Sequence, residues 1–298
     1  MNIKVLGALN AEINGKNIVP TAGKPRQILA LLALRPGQVV PVPTLMEEIW
    51  DTDLPHSSLT TLQTYILQLR RMLTHALPTP TANTGPDAAK KGSPHTGPGT
   101  TANTTPAPTA KDILATRYGG YLLQIPPDTV DAHRYEQLTA QGHKAFDNGH
   151  DSDAARLLDQ ALGLWQEQAL VDVPHGPVLH IETMRLHQSR LVTQERRIDA
   201  ELRLGRHSEL TAELTHLTAR HPQHEGLHSQ AMLALYRSGR QAAALDTYRR
   251  LRQRLIDELG VEPSPQLQRM HQAILTVDPR LDIIADPHHT PTYDLYTS

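Results

Sequence analysis

The sequence predicts a mainly α-helical fold with a small β component: a winged helix-turn-helix head followed by an all-α domain of tetratricopeptide type. Three observations predict it. Gly205 and Gly239 stand one tetratricopeptide period apart, about 34 residues, and the apolar positions behind them keep the same offset. Leu210 answers Ala244, Leu214 answers Tyr248 and Leu217 answers Leu251, and an upstream copy runs from Gly149 through Ala154, Leu158 and Ala161. The chain up to Ile125 reads instead as short strands, three helices and a hairpin. The third of those helices carries a narrow apolar stripe backed by a polar and basic face.

In the head, Ile3 to Leu9 and Ala11 to Ile13 have strand character, and Asn14-Gly15 is a turn signal before Ile18, so a small N-terminal sheet is expected. Pro25 suits the first position of a helix. The run Ile28 to Leu34 follows, apolar enough to be buried on most sides, and Pro36-Gly37 stops it. Pro43 starts a second helix that reaches about Trp50. The loop Asp51 to His56 then leads to Ser57-Ser58, either of which can cap the third helix.

Between Leu59 and Leu73 the apolar residues fall at Leu59, Leu62, Ile66, Leu69 and Leu73, an alternating three-and-four spacing that turns one stripe toward a core. The opposite face collects Ser57, Thr60, Thr64, Leu67, Gln68, Arg71 and His75, flanked by Thr61, Gln63 and Arg70. Threonine and glutamine hydrogen-bond base edges or phosphates, and arginine grips phosphate or guanine, so such a face suits the major groove. An ordinary solvated helix surface has the same pattern, and the surrounding elements decide between the two.

Pro78 to Ala110 is rich in Pro, Thr, Gly, Ala and Asn with almost no apolar bulk, and is expected to be disordered, a surface excursion and not a domain boundary. Asp112 to Thr116, Arg117 to Gly120 and Tyr121 to Ile125 then read as strand, turn, strand. Three helices followed by a hairpin is a winged helix. Its tip lies beside the recognition helix, which places Arg117 at the sugar-phosphate backbone or minor groove; Tyr118 either joins it there or packs locally. The expected division is 1–125 for the head, with the insertion 78–110 inside it, 126–278 for the helical domain, and 279–298 for a flexible tail.

The chain has 298 residues and no cysteine, which excludes a disulfide framework and Cys-based zinc sites. Its longest apolar run, Ile28 to Leu34, is far short of the roughly 20 residues that span a bilayer, so no membrane partner is expected and the protein is placed in the cytoplasm. Up to Ile125 eleven bases face seven acids, a net +4; with −2 overall, the remainder carries −6. A mildly basic head on an acidic body fits a head that meets a polyanion without adhering to it indiscriminately.

These residues resemble the SARP group of antibiotic-pathway activators, which join an OmpR-like winged helix to a bacterial transcriptional activation domain. The resemblance runs from Ile3 to about Asp278. It rests on Gly23 to Leu32, Leu45 to Trp50, Tyr65 to Arg71 and Gly120 to Leu123 in the head, and on Ala234 to Leu245 with Asp257 to Pro263 in the body. It implies binding to direct repeats at a promoter by two protomers side by side, with RNA polymerase recruited through protein contacts. Thr60, Thr61, Gln63, Thr64, Gln68, Arg70 and Arg71 become groove or phosphate contacts, Lys24 and Arg26 phosphate contacts, and Arg117, with Tyr118, the wing tip. The loop holding Asp51, Asp53 and His56 takes the place that can touch polymerase. Gln68 stands where relatives commonly carry arginine, Tyr118-Gly119 replaces a glycine-proline turn, and Ala169-Leu170-Val171-Asp172-Val173-Pro174 keeps a family core but lacks its preceding glycine.

One rival chemistry is visible. His224-Glu225-Gly226-Leu227-His228 matches the zincin sequence, in which two histidines one helical turn apart hold zinc beside a general-base glutamate. It opens a repeat helix just after Pro222, contains a helix-weakening glycine and lacks an evident third ligand, so no metal, cofactor or enzymatic activity is expected; adventitious zinc or nickel binding by His221, His224 and His228 is the stronger metal reading. Gly15-Lys16 lacks the glycine spacing of a phosphate-binding loop, and no Gly-x-Ser-x-Gly elbow occurs. Two functions remain: a sequence-specific transcriptional activator, favoured by the head, and a peptide-binding scaffold whose head serves only for docking.

Overall fold

The computed structural model describes residues 1–78 and 108–282; most of the expected insertion and all but the start of the expected tail lie outside these. Contacts divide the chain into two compact units, the first comprising 1–134 and 166–184, the second 135–165 and everything from 185. The units therefore do not follow a single cut in the chain.

The first unit begins with an antiparallel sheet of β1 (Asn2–Lys4), β2 (Asn10–Ile13) and β3 (Lys16–Asn17), in that order. Asn14 and Gly15 both take positive φ between β2 and β3, the geometry that a two-residue hairpin turn requires. The strand expected over Ile3 to Leu9 stops at Lys4. Backbone groups of the following residues are claimed from far along the chain: the Val5 and Leu6 amides donate to the Asp131 carboxylate at 2.8 and 3.1 Å, and that of Leu9 to Asp172 Oδ1 at 2.7 Å. The Leu6 and Val5 carbonyls in turn accept from the Gln166 and Leu170 amides. With those groups spent, no ladder can continue.

Helix α1 (Gly23–Leu34) is buried almost throughout, as its unbroken apolar run requires. It starts two residues earlier than the proline signal suggested, and Pro25 sits within the first turn, where its missing N–H leaves no bond unmade. Next comes β4 (Val39–Pro41), a strand absent from the sequence reading, and then α2 (Val42–Trp50) and α3 (Ser58–Ala76). Ser57 occupies the N-cap of α3, but neither it nor Ser58 supplies a side-chain cap bond. The chain re-enters at Thr109, where a capping box with Asp112 opens the short α4 (Ala110–Ile113), a helical turn in place of the expected strand start. The wing hairpin is β5 (Leu114–Arg117) and β6 (Gly120–Leu123), and β6 also pairs with β4, Val40 opposite Tyr121, giving the sheet order β4-β6-β5.

The second unit is built from helical hairpins, and it takes α5 and α7 only from Tyr135 and Arg185 onward, their first turns belonging to the first unit. Helices α5 (Asp131–Asp147), α7 (Pro177–Arg203) and α9 (Glu225–Arg237) each end at a glycine of the repeat. They are answered by α6 (Asp151–Leu162), α8 (His207–Arg220) and α10 (Gln241–Leu259), with α11 (Pro265–Leu275) last. Gly149, Gly205 and Gly239 all take positive φ, between 74° and 80°. After each, the next amide closes the same six-residue loop: His150 to the Ala145 carbonyl, Arg206 to Glu201, Arg240 to Leu235. The periodic residues are the buried ones: Ala154, Leu158 and Ala161; Leu210, Leu214 and Leu217; Ala244, Tyr248 and Leu251. Beyond α11, Pro279–Leu281, expected as the start of the tail, forms a helical turn, and Leu281 is buried against Tyr248, Leu267 and Ile274.

Candidate nucleic-acid interface

Helix α3 divides as its spacing predicts, with one exception. Leu62, Ile66, Leu69, Leu73 and Ala76 are buried, whereas Leu59 is 49% exposed. At 100° per residue Ser58 falls on the line of buried Ala76, while Leu59 lies just past Ile66 at the edge of the buried arc, and it is Ser58 that turns inward. Thr60, Gln63, Thr64, Leu67, Arg71 and His75 stand exposed on the other face, with Thr61, Gln68 and Arg70 half-buried at its margins. The Thr61 and Thr64 hydroxyls donate to the Ser57 and Thr60 carbonyls at 2.9 and 3.0 Å. Their protons are thereby spent, and the oxygens face outward as acceptors.

The two adjacent arginines have opposite employments. The Arg70 guanidinium donates twice to the Leu114 carbonyl, at 3.0 and 2.8 Å, and once to Thr116 Oγ1 at 2.8 Å, which clamps β5 of the wing to α3. Arg70, expected at the groove or a phosphate, is held against the wing in this structure. Arg71 is exposed and makes no side-chain bond among the described residues. Arg26, the other arginine expected at a phosphate, is likewise spent: it donates to the carbonyls of Pro20 and Asp172 and pairs with the Asp172 carboxylate at 3.1 Å. Lys24 is half-buried, its ammonium 5.0 Å from the centre of the Trp50 ring.

At the wing, Tyr118 is fully exposed, so local packing is not its role. Arg117 beside it makes only a 3.4 Å contact to the Thr116 carbonyl. Gly119 supplies the positive φ of the turn, and a Cβ at Gly120 would lie 2.3 Å from the Val40 carbonyl oxygen, so glycine is what lets β6 close on β4. The loop with Asp51, Asp53 and His56 is exposed throughout.

A buried staple within this unit escaped the sequence reading. Glu48, 2% exposed, accepts from the Gly176 amide at 2.7 Å and the Leu179 amide at 2.8 Å, capping the start of α7, and from Gln27 Nε2 at 3.2 Å. Gly176 has no room for a side chain there, since a Cβ would fall 1.9 Å from the Glu48 carbonyl oxygen. The run Ala169 to Pro174, similar to a family core, is the signal the sequence offers. Its physical meaning, Asp172 holding Leu9 and Arg26, needed the fold.

The residues of the zincin-like run have separate employments in the second unit. Glu225 accepts from the Ser264 amide at 2.9 Å, at the cap of α11. His224 caps its own helix through Nδ1 and lies 3.2 Å from Glu195 Oε1. Burial raises the Glu195 carboxyl to about 7 and lowers the His224 imidazole, so the environment favours the neutral form of both. Among the described residues no three histidine, cysteine or acidic side chains are grouped to hold a metal ion, and no helix is long and apolar enough to cross a membrane.

Comparison with known proteins agrees with this arrangement. The model of the transcriptional regulatory protein C-terminal family matches residues 15–82, and that of the bacterial transcriptional activator domain matches residues 130–275. Regulatory protein DnrI of Streptomyces peucetius is 48% identical over 95% of this chain and 94% of its own length. The chain belongs to the SARP family of transcriptional activators. Transcriptional regulator RedD of Streptomyces coelicolor is 31% identical over 95% of this SARP and 73% of RedD. The SARP spans about a quarter of regulatory protein AfsR of Streptomyces griseus, at 33% identity. The structure of Mycobacterium tuberculosis EmbR in complex with low affinity phosphopeptide superposes with a TM-score of 0.78 at 28% identity, over 93% of the SARP and 65% of that chain. The OmpR-like head and helical body of this SARP are thus those of a family of transcriptional regulators and not of enzymes.

Proposed function

We propose that this SARP is a sequence-specific DNA-binding activator of an antibiotic-type biosynthetic pathway, which binds direct repeats near a promoter as two protomers side by side and recruits RNA polymerase. The observation that carries this reading is the polar face of α3, open among the described residues and clamped through Arg70 to a wing whose tip, Arg117-Tyr118, makes no hydrogen bond beyond its own strand among those residues. With α3 in the major groove, Arg71 has the donors for guanine or phosphate. The Thr61 and Thr64 oxygens accept from base amino groups, and Thr60, Gln63 and Gln68 complete the contact face. Arg117 and Tyr118 meet the sugar-phosphate backbone, and Lys24 adds a phosphate contact. The exposed loop with Asp51, Asp53 and His56 is the surface offered to polymerase.

Electrophoretic shifts on a promoter fragment with direct repeats test the reading. Discrete shifted species are expected that weaken steeply with added salt. Arg71→Ala combined with Thr64→Ala is expected to cost about 2–4 kcal/mol of binding with circular dichroism unchanged. Binding no tighter than to scrambled DNA contradicts the reading and leaves the scaffold alternative.

A further inference from the structure

Helices α8, α9 and α10 enclose a groove of about 400 Å³ that the DNA-binding reading does not use. It is lined by Arg240, at the N-cap of α10, and by Arg250 and Arg254 on that helix. Arg240 has no side-chain partner among the described residues, while Arg250 and Arg254 make only surface pairs with Asp246 and Glu258, one helical turn away on the same helix. Exposed pairs of this kind are weak and exchange readily for a better acceptor.

The facing wall carries Thr211, Thr215 and Thr218 of α8, and Thr247 lies on α10. All four hydroxyls donate to a backbone carbonyl of their own helix one turn back. Their oxygens are left as acceptors, a row that suits N–H donors. Leu214, Leu235 and Leu251 line the groove between the polar walls. His228 also lines it and is 6% exposed. Burial pushes its imidazole down to about 4, so at neutral pH it offers one donor and one acceptor.

From cationic rim, acceptor row and apolar lining, we infer that this groove binds a short acidic peptide segment of a partner protein. Carboxylates meet the arginines, backbone amides meet the threonine oxygens, and an aliphatic side chain covers the partly exposed Leu235. A nucleic-acid backbone fits less well, because Asp246 and Glu258 flank Arg250 and Arg254 on α10 and oppose a continuous run of phosphates.

The test uses the full chain and a fluorescein-labelled peptide alternating glutamate with leucine, read by anisotropy. Saturable binding is expected, with the lysine-leucine peptide at least about tenfold weaker. Arg250→Ala with Arg254→Ala, both on exposed side chains, is expected to weaken the acidic peptide about tenfold or more with the melting temperature unchanged. Arg254→Glu is expected to shift preference toward the lysine peptide. Equal binding of both peptides, an affinity unmoved by the arginine substitutions, or displacement of the peptide by double-stranded DNA at stoichiometric amounts overturns the proposal.

Discussion

In the first unit charged side chains reach across long stretches of chain, whereas in the second many of them pair within one helix or with a neighbouring repeat. Glu48 holds the Gly176 amide 128 residues away, Asp172 holds Leu9 across 163, and Arg70 holds the wing across 44. In the repeats, by contrast, Arg250 and Arg254 pair one turn along α10, and Arg197 reaches Glu213 in the following helix. The difference separates structural charge from available charge. A head that reads as basic has spent Arg26 and Arg70 on its own architecture, and of the bases expected at DNA the described residues leave Arg71, Arg117 and Lys24 without a carboxylate partner.

The strongest way to break this comparison is Glu48→Ala. It strands the Gly176 and Leu179 amides and Gln27, and is expected to destabilise the first unit by about 3 kcal/mol or more, since bonds to a buried charge each contribute about 1.5–3 kcal/mol. Hydrogen exchange at Gly176 and Leu179 reads it directly; retained protection there contradicts the long-range staple.

Glu195→Gln probes the second unit through pH. The folded carboxyl titrates near 7 against an ordinary value near 4.5, so the native chain holds the extra proton and stability falls as pH rises through that window. Asp199, raised by burial to about 6, acts in the same direction, while His228, lowered to about 4, acts oppositely between about 4 and 6.5. Relative to the parent, Glu195→Gln is therefore expected to gain on the order of 2 kcal/mol between pH 4.5 and 7. Denaturant midpoints that stay parallel across that range contradict a buried, protonatable Glu195.

Arg70→Ala and Arg71→Ala form the smallest and sharpest pair. Arg70→Ala is expected to lower stability by about 1–2 kcal/mol by releasing β5, and to weaken DNA binding through the loosened wing. Arg71→Ala is expected to leave the melting temperature alone and cost about 1–3 kcal/mol of DNA binding. Equal effects of the two on stability would erase the distinction between clamp and contact.

The same difference governs what the sequence discloses. The buried positions of the repeat helices are legible, because Leu210, Leu214 and Leu217 bury against neighbours set by a fixed period. The stripe of α3 is legible for the same reason, apart from Leu59 at its edge. Strand β4 is not, since its partner β6 lies some eighty residues on and Val39 to Pro41 alone carry no alternating pattern. Arg26 and Arg70 look like phosphate ligands because no local rule names Asp172 or Leu114 as their partners. Exposure separates Arg71 and Tyr118 from them, and exposure is a property of the folded chain.

The central claim is that the open face of α3 enters the major groove. Methylation interference at guanine N7 on a footprinted promoter tests it most directly. Two patches of interference are expected, one in each direct repeat and on one face of the duplex, each weakened by Arg71→Ala. Interference absent from the major groove, or unchanged when Arg71 is replaced, would contradict the account.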